Sequence, residues 1–318
     1  MTIARRRLLA GLAAVPALAS IAAHAQTRKV TVLLDWFLNP DHAALVIAKT
    51  NGLFEREGLD VELIVPADPN APPRLVAAGK GDFAISYQPQ LQMLVGEGIP
   101  LTRVGVVVAQ PLNSLVALEG GPIAKIADLK GRKVGYSIAG FEEAILGAML
   151  ESVGLTLRDV TLINVNFALT TALKSKQVDA VIGAFRNFEL NDLEIEKMRG
   201  IAFMVEAHGV PMYDELVIVG RHGAVDTAVA GKLLSAMREA TAWIRANDAE
   251  AWNRFAAYGG KEVANELNRR AWRDTIPLLA SDPAALDRDR YARFATFLKG
   301  RGLLKAEMPL DSYLTPVK

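Results

Sequence analysis

Gly79-Lys80-Gly81-Asp82-Phe83-Ala84-Ile85 and Lys176-Gln177-Val178-Asp179-Ala180-Val181-Ile182 each set an aspartate just ahead of an apolar run that reads as a strand. The two stretches stand at an offset of roughly 100 residues, and the elements around them recur in the same order. Before and including the first come a strand at Val30 to Leu34, a helical pattern from Pro40, a strand at Val61 to Val65, a helix at Pro72 to Gly79 and a strand at Asp82 to Ser86. The second set has a strand at Lys133 to Tyr136, a helix at Glu142 to Val153, a strand at Val160 to Val165, a helix at Thr170 to Ser175 and a strand at Asp179 to Ala184. A β-α-β-α-β unit read twice predicts parallel strands with right-handed crossovers. The fold class is therefore α/β, with two facing lobes that are each a small doubly wound sheet.

The chain around these units completes the plan. Asn113 to Glu119 leaves the first lobe and Tyr213 to Gly220 returns to it, so two crossing segments form a hinge. From Thr227 to Gly300 the pattern is helical, a C-terminal tail expected to pack on lobe 1. The expected division is residues 26–115 plus 217–318 for lobe 1 and 116–216 for lobe 2. Residues 1–25 read as a signal peptide: Arg5 to Arg7, an apolar run from Leu8 to Ala23 broken by Pro16, then the Ala23-His24-Ala25 cleavage site. The paired arginines before Arg7-Leu8-Leu9 allow twin-arginine as well as Sec export, and the expected location is the periplasm.

Of the 318 residues, 51% are hydrophobic and 22% charged, which argues against long disordered stretches. The formal charge of +1 contains no basic stripe for phosphates, so nucleic acid is excluded as a partner. Removing the three leader arginines leaves 33 basic against 35 acidic side chains. With no cysteine, disulfides, thiolate metal sites and a cysteine nucleophile are all excluded. The four histidines (24, 42, 208 and 222) have no zinc-site spacing, and neither a P-loop nor a G-x-S-x-G elbow occurs. No metal, cofactor or catalytic group is expected.

Ligands of open α/β sheets bind beyond the carboxyl ends of the strands. At those ends stand Asp35 and Trp36, Tyr87, Tyr136 and Ser137, and Phe185 with Arg186, Asn187 and Glu189. Three of the chain's few large aromatics at such ends suggest a flat ligand held by stacking, Trp36 on one face and Tyr87 or Tyr136 on the other. Each also suits packing between lobe and loop. The helix opening at Gly140, Phe141 and Glu142 offers free N–H groups to a polar or anionic substituent, or needs only Ser137 as its cap. His42 follows Asn39 and Pro40 at a helix start and serves either the cleft or that helix end. Glu189, helped by Asn187, can read an amine-bearing ring edge, or is an ordinary first-turn acid of an acidic helix.

Leu34-Asp35-Trp36-Phe37-Leu38-Asn39-Pro40-Asp41-His42, then Asn51-Gly52-Leu53-Phe54-Glu55-Arg56-Glu57-Gly58-Leu59-Asp60-Val61-Glu62, resembles the thiamine-precursor family of periplasmic binding proteins. Gly135-Tyr136-Ser137 through Glu143, and Val181 through Glu189, extend the resemblance over most of the chain after the leader. It implies a hinged two-lobe fold of type II and a monomer that captures a hydroxymethylpyrimidine or formylaminopyrimidine without turnover. The implied partners are an ABC permease and its ATPase. Binders of sulfonates, nitrate and taurine share the superfamily, and for such an anion Arg186 is the candidate contact. The superfamily also holds the fungal thiamine-pyrimidine synthase, whose lysine and histidine fall at Ser86 and Gln90 here and whose cysteine run is missing, so an enzyme is not expected.

Overall fold

The computed structural model describes residues 27–317, so the expected signal peptide lies outside the described residues. In lobe 1, β1 (Arg28–Leu33), α1 (Ala43–Thr50), α2 (Leu53–Arg56), β2 (Leu59–Ile64), α3 (Pro72–Ala77), β3 (Phe83–Ser86), α4 (Gln88–Gly96) and β4 (Leu101–Val108) follow one another. Lobe 2 holds β5 (Asn113–Leu118), β6 (Lys133–Tyr136), α5 (Phe141–Glu151), β7 (Thr161–Asn164), α6 (Leu169–Lys174), β8 (Ala180–Phe185), α7 (Glu189–Ile195) and β9 (Gly200–Met204). The chain then returns as β10 (Leu216–Arg221) and ends in α8 (Thr227–Ala246), α9 (Asp248–Gly259), α10 (Glu266–Thr275) and α11 (Arg288–Gly300).

The repeat is visible in the strand orders, β2-β1-β3-β10-β4 in one sheet and β7-β6-β8-β5-β9 in the other. Its two aspartates do the same work. Asp82 Oδ2 accepts the Thr31 N–H at 2.8 Å, and Asp179 Oδ2 accepts the Lys133 N–H at 2.9 Å. Each carboxylate thus ties the start of the repeat's third strand to the repeat's first strand, which explains why the same residue recurs ahead of the same strand.

The sheets are not wholly parallel. β10 runs antiparallel to β3 and β4, and β5 antiparallel to β8 and β9, because each is the strand that has just crossed from the other lobe. All of β5 from Asn113 onward pairs within the second sheet, so the outward passage lies at residues 109–112, ahead of the expected 115/116 division. Glu215, which sequence reading did not single out, clasps the two passages together. Its Oε2 accepts the N–H groups of Leu112 (2.7 Å) and Asn113 (2.9 Å) and the hydroxyl of Tyr213 (3.0 Å).

In the tail, α8 and α9 pack on α1, while α10 rests on the turn at Pro40–His42 and reaches α7 of lobe 2. A row of aromatics carries the core through the hinge region. Tyr87 of lobe 1 stacks on Phe141 of lobe 2 at 5.2 Å, Phe141 meets Tyr213 edge-on, and Tyr213 meets Phe294 of α11.

Candidate functional site

The carboxyl ends of β1, β3 and β8 and the start of α5 converge on a narrow slot between the lobes. Its flat walls are aromatic: Trp36 and Tyr87 from lobe 1, Phe141, Phe185 and Phe188 from lobe 2. Its polar lining is acidic and amide, from Asp35, Asn39, Asp41, Glu142 and Glu189, and among the described residues no lysine or arginine lines it.

On the lobe 1 side Asp35 is fully engaged. Its Oδ1 meets His42 Nε2 at 2.9 Å, and its Oδ2 accepts the Tyr87 hydroxyl at 2.9 Å. His42 Nδ1 accepts the Asn39 N–H, so Nε2 is the donor toward Asp35. His42 therefore lies behind the slot, orienting Asp35 and through it Tyr87, and does not line the slot itself. The next residue back does line it. Asp41 is held by the Asn39 cap, whose side chain accepts the Asp41 N–H at 2.8 Å, and by Asn187 across the cleft.

On the lobe 2 side, Glu142 and Glu189 each spend Oε2 on a backbone N–H, that of Ser137 and that of Phe185, both at 2.6 Å. The Glu142 carboxylate lies across Gly183, where an added Cβ would sit 2.2 Å from its Oε1. With φ at +92° as well, Gly183 is the residue that makes room for this acid.

Burial pushes Asp41 up to about 7, and Glu142 and Glu189 up to about 8. The backbone N–H groups that both glutamates accept pull the other way, and each glutamate also lies in the first turn of a helix, where the dipole favours the anion. Desolvation of a fully buried carboxyl is the larger effect, worth up to about 3–5 pKa units against a dipole contribution of ~0.3–2 kcal/mol. Near neutral pH the slot accordingly presents carboxylic acids that can donate as well as accept.

Several expected contacts lie elsewhere. Tyr136 is half-buried at the end of β6 and outside the slot. Ser137 is buried, its hydroxyl bonded to the Asn166 carbonyl. At the helix opening near Gly140, three N–H groups are already taken by side chains. Glu143 takes the Gly140 N–H at 2.6 Å, Asn70 takes that of Ala139 at 2.9 Å, and Glu142 takes that of Ser137. Gly140 itself faces a separate interlobe groove beside Asn70. Asn187 is buried and bridges Asp41 to Thr275 instead of lining the slot. Arg186 turns away toward the hinge, paired with Glu206 at 2.7 and 2.9 Å and donating to the carbonyls of Leu112 and Asn113.

Sequence reading missed Asn39, Asp41, Leu169, Gly183 and Phe188 as lining residues. Asn39-Pro40-Asp41 carried a cap signature that pointed to a helix start, and that start happens to face the cleft. Gly183 inside an apolar strand was the other available signal.

Comparison with known proteins adds kinship to this geometry. A family model described as NMT1/THI5 like matches residues 39–251. A Haemophilus influenzae protein named for thiamine biosynthesis is 48% identical over 290 residues, spanning 91% of this chain and 92% of that one. The formylaminopyrimidine-binding protein of Halalkalibacterium halodurans is 36% identical over 228 residues, spanning 70% and 68%. Among solved structures, the alkanesulfonate-binding protein SsuA from Xanthomonas axonopodis pv. citri, bound to MOPS, superposes with a TM-score of 0.72 over 90% of this chain and 98% of that one. Its identity is 15%, so it shares the fold, that of a two-lobe periplasmic binding protein.

Proposed function

The chain belongs to the NMT1/THI5-like family, and from that premise we propose that it is the solute-binding subunit of an ABC importer whose slot takes an aminopyrimidine precursor of thiamine. The observation that carries this reading is the chemistry of the slot. Flat aromatic walls suit a planar ring, and a lining of buried carboxyls and amides suits a ligand rich in N–H donors and ring nitrogens. The relative named for binding formylaminopyrimidine supports the same class.

A sulfonate or similar anion fits poorly. The one basic side chain that sequence reading offered it, Arg186, is consumed at the hinge, and the slot lining then has no cation to balance the charge of a buried anion. A synthase-like activity lacks its groups: Ser86 and Gln90, where the resemblance places lysine and histidine, are buried and bonded to each other at 2.8 Å. Capture would draw the lobes together around the ring, since contacts to both lobes exist only in the closed form. Periplasmic location, delivery to permease and ATPase, and action as a monomer complete the proposal.

Titration calorimetry decides between the classes. The expected result is tight binding of 4-amino-5-hydroxymethyl-2-methylpyrimidine or its formylamino relative, and none of an alkylsulfonate. Binding of the sulfonate alone would overturn the reading.

A further inference from the structure

Two asparagines one helical turn apart, Asn187 and Asn191, face the C-terminal end of α10 from the other lobe. The Asn187 amide nitrogen gives one hydrogen to Asp41 Oδ1 at 2.9 Å and the other to Thr275 Oγ1 at 2.7 Å. The Asn191 amide nitrogen divides in the same way between the Asn187 carbonyl at 3.0 Å and Asp274 Oδ2 at 2.8 Å. Asn187, Asp41 and Thr275 are all at least nine-tenths buried, so these bonds are shielded from water. Glu194, later on α7, adds an outer ion pair to Arg270 of α10 at 3.7 Å.

Apart from the Asn191–Asn187 bond, which lies within lobe 2, these contacts straddle the cleft and could not remain in place with the lobes apart. We propose that α10 is a closing element of the cleft, and that Thr275 and Asp274 are positioning residues holding the start of α7, and with it Glu189, in the closed form. The chain takes a helix from its C-terminal tail, far outside the repeated β-α-β-α-β unit, and sets it against the Pro40–His42 turn of one lobe and α7 of the other. On the opposite side Asn70 does comparable work by gripping backbone, donating to the Ser137 carbonyl (3.1 Å) and accepting from the Ala139 N–H (2.9 Å). Closure is thus held by polar groups from lobe 1 on both sides of the slot.

The test uses the free protein, so its outcome does not depend on which ligand the slot takes. Because the chain has no cysteine, Lys80→Cys and Gln177→Cys place a dye pair on one exposed site of each lobe without interference. Single-molecule energy transfer then reads the ratio of closed to open molecules. Thr275→Val is expected to lower that ratio about fivefold, the factor typical of one buried hydrogen bond. Thr275→Ser should restore the ratio, and Asp274→Asn should lower it by less while keeping the fold intact. A Thr275→Val distribution equal to that of the parent overturns the proposal. So does an equal shift in the Val and Ser variants, which would mark a packing effect, and so does a parent that is open throughout.

Discussion

Glu189→Gln tests the electrostatics of the slot most directly, because it has a binding and a stability readout with opposite signs. The glutamate accepts the Phe185 N–H at 2.6 Å, and burial raises its pKa from 4.5 to about 8. A glutamine can keep that bond with its carbonyl oxygen and turn its amide nitrogen to the slot. In the unfolded chain the glutamate titrates near its ordinary value, so between about pH 4.5 and 8 the folded state binds more protons than the unfolded one. The stabilisation tied to the protonated form is complete below the ordinary value and is lost as pH rises through 8. Parent and variant should therefore melt alike at about pH 5, and at about pH 9 the variant should be the more stable by a few kcal/mol at most. Asp41 and Glu142 titrate in the same cluster and share the effect. Binding moves the other way. Transfer of the carboxyl proton to an aminopyrimidine ring nitrogen makes a charge-assisted pair that a glutamine cannot form. Calorimetry with 4-amino-5-hydroxymethyl-2-methylpyrimidine at neutral pH should show a loss of about 1.5–3 kcal/mol, roughly ten- to hundredfold in Kd. Affinity within about twofold of the parent, or a variant that is less stable at high pH, would refute the reasoning.

Other substitutions probe the walls and the hinge. Trp36 lines the slot and meets Phe167 of lobe 2 edge-on at 4.6 Å, so Trp36→Ala should cost about 1–3 kcal/mol of pyrimidine binding by calorimetry; unchanged affinity would make Trp36 a packing residue only. Gly183→Ala drives a Cβ into Glu142 Oε1 at a backbone angle that alanine disfavours, so thermal melting should show about 2–4 kcal/mol of destabilisation, and a melt like that of the parent would mean that Glu142 moves freely. Arg186→Ala should cost about 1–2 kcal/mol of stability, seen as a lower melting temperature, through the lost Glu206 pair and carbonyl contacts, while pyrimidine affinity changes by less than about threefold. Sulfonate binding that disappears in this variant would return Arg186 to the slot.

The repeated unit was legible because it is written in local terms. Apolar runs of strand length, helical spacing between them, and an aspartate ahead of each third strand are all properties of neighbouring residues, and Asp82 and Asp179 do make equivalent bonds. The rule that ligands lie beyond strand ends pointed to Asp35, Trp36, Tyr87, Phe185 and Glu189, and the helix opening to Phe141 and Glu142, all of which line the slot. What sequence could not supply was which of two adjacent polar residues faces inward, or which partner consumes a side chain. Asp41 lines the slot and His42 backs it, a choice made by the capped turn at Asn39. Arg186 looked like an anion contact until the fold brought Glu206 and the outgoing hinge strand beside it. Asn187 looked like a ligand contact until Asp41 and Thr275, 146 and 88 residues away, took both of its amide hydrogens. Such pairings depend on how two lobes and a distant helix meet in space. No local periodicity encodes that meeting, because each bond forms only after the chain has closed loops of that length.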